Sequence, residues 1–420
     1  MASPLNVFKF GGASVKDASA VRNVAHIIRT YQKGPLIVVI SAMGKTTNAL
    51  EVIHDHRFKG ENYSEPLDAI RTFHLTIAQD LGLTAAPLQA FETQWSALAY
   101  LLEQAPTGHY DRDYDQIVCY GELLSTALVH GFLVQEGLQS TWIDVRNCIQ
   151  TDDRYRDSRV EWDLSMERKS ELESILQQGS IAIVQGFIGR TTDGSTTTLG
   201  REGSDFTAAI MAFLFDAEAV TIWKDVPGML NADPKWFKDT VKLDSISFRE
   251  AIELAYYGAS VIHPKTIKPL QNKGIPLYIK SFVHPDASGT IIQENTSSDH
   301  LVPSYIFKGH QDLISFLPKD FSFIVEDNLR EIFETLSNLG IRVNLMENSA
   351  VSFSICIDKN EYKRGLLFDA MRSRYAIRYN EGLTLITVRH WNEQILHQLT
   401  TEREILLEQK SRQTARLVVR

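Results

Sequence analysis

The sequence predicts two folds in tandem. A mainly parallel α/β sheet sandwiched by helices covers residues 1–295, and a smaller α+β unit of βαββαβ order covers 300–420, with a second repeat left incomplete. Three observations predict this. Through roughly the first 290 residues, apolar runs alternate with amphipathic stretches, as they do when parallel strands are joined by crossover helices. The candidate strands are continuous apolar runs, as in strands buried on both faces. The pattern then changes beyond "HPDASGTIIQENTSSDH", residues 284–300, whose Gly, Pro, Ser, Asn and Asp suit a linker or an edge segment.

In chain order, the strand candidates of the first part are "NVFKF", "PLIVVISAM", "DQIVCY", "STWIDV", "SIAIVQGFI" and "AVTIWKDV". Between them lie helical patterns: "DASAVRNVAHIIRTYQK", "GELLSTALVHGFLVQEG", "EWDLSMERKSELESILQQ" and "GSDFTAAIMAFLFDAE". Residues 55–110 read as a helical insertion without chemistry of their own. In the second part, "DLISFLP" and "DFSFIV" read as strand, "NLREIFETLSNLG" as helix, and "IRVNLMEN" with "AVSFSICID" as a hairpin. Then come helix "EYKRGLLFDAMRSR" and strands "YAIRYN" and "LTLITVRH". The partial repeat adds helix "NEQILHQLTTE" and strands "EILLEQK" and "TARLVVR".

The chain has 420 residues, a length of two or three domains at roughly 100–200 residues each. A hydrophobic share of 44% supports packed cores. The formal charge of -9 argues against a nucleic-acid binder, which needs clustered Lys and Arg. Cys119, Cys148 and Cys356 are far apart and form no CxxC, so buried thiols in a reducing compartment are expected, with no metal site. Residues 1–6 lack a signal-peptide pattern. Apolar stretches such as "PLIVVISAM" fall far short of the ~20 residues of a membrane helix. The expectation is a cytoplasmic protein that meets neither membrane nor nucleic acid.

Three clusters carry chemistry. "VFKFGGASV" runs a strand into Lys9, Gly11 and Gly12 and then toward a helix. Glycines let the backbone approach a phosphate, a helix N-terminus offers free N–H groups, and a lysine adds a point charge. On its own, such a pair of glycines is more often a tight turn, and GxxxxGK[ST] is absent. "TTTLGREGSDFTAA", residues 196–209, sets Arg201, Ser204 and Asp205 before an apolar helix. Ser204 or Asp205 could be a cap, whereas an arginine in a Gly-flanked loop suits bidentate capture of a carboxylate or phosphate. "IWKDVPGMLNADPK", residues 222–235, ends a strand in Lys224-Asp225 and continues to Asp233 and Lys235. Its Pro-Gly and Asp-Pro steps are also plain turn chemistry, but loops at the carboxyl ends of parallel strands are where ligands bind. "SAMGKTTN" and "YGELLSTAL" add Thr47 and Glu122, the latter in a helical first turn where dipole compensation is its ordinary role.

As an ordered set, "KFGGAS", "SAMGKTTN", "GELLS", "QGFIG", "TTTLGREGSDFTAA", "WKDVPGMLNADPK" and "YGASVIHPKT" closely resemble the aspartokinases of the amino acid kinase family, over about residues 5–290. Residues 300–420 resemble ACT-type regulatory domains more weakly. The resemblance implies the amino acid kinase fold and ATP- and Mg²⁺-dependent phosphorylation of the β-carboxylate of L-aspartate, the first step toward lysine, threonine and methionine. By motif it implies that Lys9 stabilises the transferring phosphoryl group, with Gly11 and Gly12 offering N–H groups. Asp205 would organise the site and hold Lys9. Arg201 would clamp the α-carboxylate and Glu122 meet the ammonium. Thr47, Phe187 and Ser204 would shape the pocket, and Lys224, Asp225, Asp233 and Lys235 surround the nucleotide. It also implies a homodimer or higher homo-oligomer with lysine or threonine as a possible effector. A fused homoserine dehydrogenase is not expected in the length that remains.

The chain departs from this family pattern at several positions. Ala13 stands where Thr or Ser follows "KFGG", Glu202 where "GRGGSD" has glycine, Lys224 where Thr is frequent, Leu230 for a Tyr near adenine, and Ser260 for the lysine of "YGAKV". Lys224, Lys265 or Lys268 are the candidates to restore that charge. In the regulatory part, "PKDFSFIVEDNLREIF" has no glycine in its turn and Asn344 replaces a frequent Asp. Two alternatives stay open: a kinase of the same fold acting on glutamate or N-acetylglutamate, and a non-catalytic paralogue that senses an amino acid.

Overall fold

The computed structural model describes residues 4–420 other than 238, 260 and 321; the Ser260 departure lies outside the described residues. Strands are β1 Asn6–Phe10, β2 Leu36–Ile40, β3 Ser140–Ile143, β4 Ile181–Gln185, β5 Ile188–Arg190, β6 Thr196–Thr198, β7 Ala219–Lys224, β8 Ser245–Ser247, β9 Leu277–Ser281, β10 Thr290–Gln293, β11 Ser304–Pro318, β12 Val343–Asn348, β13 Phe353–Asp358, β14 Tyr375–Arg389, β15 Ile405–Lys410 and β16 Thr414–Val419. Helices are α1 Ala18–Tyr31, α2 Thr46–Lys59, α3 Ser64–Leu81, α4 Ala85–Glu103, α5 Tyr110–Val118, α6 Tyr120–Gln135, α7 Trp162–Glu167, α8 Ser170–Gln177, α9 Gly203–Leu214, α10 Phe248–Tyr257, α11 Pro264–Lys273, α12 Glu326–Asn338, α13 Glu361–Met371 and α14 Glu393–Thr400. They form two compact units: Met1–Met229, Lys242–Ile252 and Val261–Ser298 in one, and Leu230–Val241, Glu253–Ser260 and Asp299–Arg420 in the other.

The first unit is built on an eight-stranded sheet of order β3-β4-β2-β1-β7-β9-β10-β8. Every pairing in it is parallel except β9 with β10. The central strands are buried on both faces, as their unbroken apolar runs require: every residue of β2 and of β4 is buried. α1 shows how sequence makes a covering helix. Asp17 caps it by accepting from the Ala20 amide at 2.8 Å. Val21, Val24 and Ile28 then recur at helical spacing and are fully buried in the core shared with the sheet. At roughly 1.5–3 kcal/mol for each buried aliphatic side chain, that stripe fixes the helix on the sheet, and Val24→Asp would break it.

The "DQIVCY" strand is not formed. Residues 110–118 are helix α5, separated from α6 by Cys119 alone. Ile117, Val118, Leu124 and Leu128 are all buried around the join of the two helices, and a six-residue window across such a join shows no helical period. The combined run Tyr110–Gln135 is long and apolar enough to cross a membrane by length and hydropathy, unlike the short stretches expected, but 83% of its most apolar window is buried inside the fold. It is a core helix. "SIAIVQGFI" is two strands, broken at Gly186–Phe187, where Phe187 takes φ +70°. β8 and β9 were not foreseen, and the 284–300 segment contains β10.

In the second unit an antiparallel six-stranded sheet has the order β12-β13-β11-β14-β16-β15. α12 and α13 cover one part of it through Ile332, Leu336, Leu367 and Met371, and α14 covers another through Leu396. The sheet curls: Leu345 and Leu407, on the two edge strands, share one apolar cluster, and the Gln409 amide donates to the Met346 carbonyl at 3.2 Å. Asn344 is held in a polar network, donating to Gln311 at 2.8 Å and Asp358 at 3.0 Å and accepting from Lys308 at 2.8 Å. The "DFSFIV" strand is absent. Residues 322–325 lead irregularly into α12, with Phe323 67% exposed, because strand-like residues form no strand without a partner. Phe321 lies outside the described residues. "YAIRYN" and "LTLITVRH" are one strand, β14. Cys119, Cys148 and Cys356 are free and buried, and burial pushes each thiol up to about 12.

Candidate active site

The carboxyl ends of β1, β2, β4 and β7 surround a cavity of about 510 Å³ in the first unit, the size of a small-ligand site. The end of β1 supplies Lys9, 7% exposed. Gly12 must be glycine for a local reason: a Cβ there would lie 2.8 Å from the Ala42 carbonyl and 3.0 Å from that of Gly44. α1 does not begin at the glycines. A four-residue 3₁₀ turn, Gly12–Val15, comes first, and Asp17 caps the helix. The helix N-terminus on the cavity is that of α9, whose Gly203, Ser204 and Asp205 line it. It lacks a side-chain cap: its N-cap residue is Glu202, at φ +55°, whose side chain makes no capping bond.

The Asp205 carboxylate joins two ammonium groups, Lys9 Nζ at 2.6 Å and Lys224 Nζ at 3.0 Å. Burial alone would raise its pKa. The two ammoniums outweigh that and hold the carboxyl below its usual range. Lys224 also donates to the Val261 carbonyl, so its charge sits beside the segment where the family lysine is missing. Of the other candidates for that charge, Lys265 is paired with Asp157, and neither it nor Lys268 lines the cavity.

Glu122, in the first turn of α6, is 3% exposed. One carboxylate oxygen accepts from the Ala42 amide at 3.2 Å, and the other, buried, has no hydrogen-bond partner among the described residues. Burial pushes its pKa up to about 8, against smaller pulls from the Ala42 amide and Lys9. Ser125, one turn on, donates to the Ser41 carbonyl at 2.7 Å. α6 therefore holds the loop after β2, with Thr47 behind it, against the cavity. Arg201 lies exposed on the wall, and among the described residues its guanidinium has neither ion pair nor hydrogen bond. Phe187 closes another side.

The cavity thus brings together Lys9, Gly12, Thr47, Glu122, Phe187, Arg201, Ser204, Asp205 and Lys224. Gly11 and Asp225 are not on its lining. Asp233 and Lys235 belong to the second unit, are exposed, and make a local turn in which Asp233 accepts from the Lys235 amide at 2.9 Å. Ser41, Gly44, Tyr114, Arg156 and Glu202 line the cavity without having been foreseen as site residues. "SAMGKTTN" and the Glu202 departure signalled two of these loops, whereas nothing in the sequence marked Tyr114 or Arg156.

The amino acid kinase family model matches residues 4–281. Lysine-sensitive aspartokinase 3 of Escherichia coli (strain K12) is 34% identical over 361 residues, 85% of this chain and 79% of the relative. The chain belongs to the aspartokinases of the amino acid kinase family. A chloroplastic aspartokinase 1 of Arabidopsis thaliana is 30% identical over 84% of this chain and 63% of its own. The crystal structure of E. coli aspartokinase III in complex with lysine and aspartate superposes with a TM-score of 0.82 at 29% identity, covering 99% of this chain and 96% of that one. The same enzyme with aspartate and ADP gives 0.80 at 28% identity over the same shares. Membership makes the chain an ATP-dependent kinase.

Proposed function

We propose that the protein transfers the γ-phosphoryl group of ATP to the β-carboxylate of L-aspartate, giving 4-phospho-L-aspartate and ADP. The observation that carries this is the juxtaposition, on one cavity, of a buried carboxylate and an arginine that have, among the described residues, an oxygen and a guanidinium unused, next to a lysine–aspartate–lysine cluster. Glu122 receives the substrate ammonium and Arg201 its α-carboxylate, which leaves the β-carboxylate to face Lys9. An N-acetylated acceptor has no ammonium to satisfy Glu122, so the free amino acid fits better. The β-carboxylate is ionised at neutral pH and needs no base. Its oxygen attacks the γ-phosphorus, the bond to the ADP oxygen breaks, and ADP leaves with the electron pair. Lys9 and Lys224 offset the charge on the transferring group, Asp205 fixes both ammoniums, and the open N-terminus of α9 with Ser204 adds N–H donors. Gly11 and Asp225 complete the nucleotide contacts in this proposal.

Among the described residues no three His, Cys, Asp or Glu side chains cluster for a metal, and Asp205 is already neutralised by lysines. This donor set suits Mg²⁺ carried on the ATP phosphates and water, where the ion neutralises phosphate charge. Lysine or threonine at the second unit, with assembly into a homodimer or larger oligomer, completes the proposal. Its support is that a relative 34% identical is named lysine-sensitive and that its solved structure is a complex with lysine. ADP release with L-aspartate, L-glutamate and N-acetyl-L-glutamate, repeated with lysine and threonine added, tests the reading. Turnover of aspartate is expected. Folded protein that binds an amino acid yet turns over none of the three is a sensor instead.

A further inference from the structure

Arg156 is a second arginine on the cavity wall. It lies in the loop 152–159 with φ +66°, a left-handed conformation that glycine adopts freely and other residues rarely do. The fold holds it there firmly. The Asp115 carboxylate, 0% exposed, accepts from the Arg156 amide at 3.0 and 3.2 Å and from the Thr198 amide and hydroxyl at 2.8 Å each. The Ser158 amide and hydroxyl both donate to the Thr198 carbonyl, at 3.0 and 2.7 Å. Asp157 pairs with Lys265. Gly200, at φ +75°, has no room for a Cβ, which would lie 2.5 Å from Asp157 and 3.2 Å from the Arg156 carbonyl. One buried carboxylate therefore locks the loop of Arg156 onto the strand that leads into Arg201.

A turn that needed only a left-handed backbone would be made most easily by glycine, so the arginine is explained by its side chain. Its guanidinium lies 4.1 Å from the centre of the Tyr114 ring, and the Tyr114 hydroxyl is bonded to Glu51. It also lies 6.0 Å from the centre of the Tyr110 ring and pairs with Asp111 at 3.4 Å, an exposed ion pair of the weak kind that a ligand carboxylate can replace. We propose that Arg156 is a specificity-determining residue, a second guanidinium that joins Arg201 in recognising the α-carboxylate of the acceptor. Asp115 is its positioning residue. This rests on the aspartate reading of the pocket. The two guanidiniums neutralise one carboxylate of the acceptor while the other faces Lys9, so a dicarboxylate is favoured over its amide.

The test compares the parent with Arg156→Gly, which keeps the turn and removes the guanidinium, and with Arg156→Lys, which keeps the charge and loses the planar fork. Steady-state kinetics and calorimetric titration with L-aspartate are measured for each. Arg156→Gly is expected to melt no lower than the parent. Its KM for aspartate should rise about tenfold, with kcat and the KM for ATP held within about twofold. Arg156→Lys should recover part of the loss. An aspartate KM within about twofold of the parent, or a change confined to kcat or to ATP, overturns the assignment. If the parent binds aspartate but does not turn it over, the kinase reading fails and the titration alone judges Arg156. If the parent does not bind aspartate, both fall.

Discussion

Lys9, Asp205 and Lys224 meet as two ammoniums on one buried carboxylate, each ion pair at 3.0 Å or less. Glu122 and Arg201, on the same cavity, keep an oxygen and a guanidinium unused. The two groups have the same kinds of residue and opposite preparation. In the first, charges are paired within the protein before any ligand arrives, so the site for the transferring group is organised in advance. In the second, burial disfavours the charged form of Glu122, and a cation from outside is what would stabilise it. Sensitivity to pH and to the identity of the acceptor should therefore lie with Glu122 and the arginines, and sensitivity of the chemical step with the lysines.

The largest expected effect is at Lys9. Lys9→Ala should lower kcat by about 10²–10³-fold in the ADP-release assay, with a KM for aspartate near that of the parent; an unchanged kcat would break the division between the two groups. Next comes Glu122→Gln, which should raise the KM for aspartate by roughly 10- to 100-fold and leave the KM for ATP alone, since a buried charge-assisted pair contributes about 1.5–3 kcal/mol. Glu122 also sets a pH dependence. Its folded pKa of about 8 lies above the ordinary 4.5, so the folded state holds the extra proton and stability falls as pH rises across that window. Thermal unfolding from pH 5 to 8 should show this decline in the parent and less of it in Glu122→Gln. The parent's KM for aspartate should improve over the upper part of the same range, as the carboxylate ionises, and a pH-independent KM would contradict the assignment. The smallest effect is at Lys224: Lys224→Thr should raise the KM for ATP by about tenfold or less, because Lys9 remains on Asp205. A loss confined to aspartate would place Lys224 with the acceptor instead.

The same contrast governs how much could be read from the sequence. The ends of β1, β2 and β7 were legible because strands buried on both faces are unbroken apolar runs that stop at Lys9, Ser41 and Lys224. The motif "GREGSD" marked the start of α9 because polar and Gly residues there give way to the apolar helix "FTAAIMAFL". The helix carrying Glu122 was legible in place, whereas α5 before it was expected as a strand, because the six residues of "DQIVCY" span the join of α5 and α6 and carry no period that separates helix from strand. β9 alternates buried and half-buried residues and offered a signal that passed unread. Tyr114 and Arg156 could not be found from spacing, because Asp115, Thr198 and Gly200 bring their segments together across more than 40 residues of chain. That Lys224, among three lysines, reaches Asp205 likewise needed coordinates. The Asp233 and Lys235 assignments came from motif alone and fall in the other unit.

On the proposed function this cavity phosphorylates an acceptor carrying an ammonium and two carboxylates. That is tested by kcat/KM from ADP release for L-aspartate against N-acetyl-L-aspartate, in the parent and in Glu122→Gln. The parent is expected to prefer the free amino acid strongly, and the variant to lose most of this preference. Equal turnover of both acceptors by the parent, or a preference that Glu122→Gln leaves intact, would contradict it.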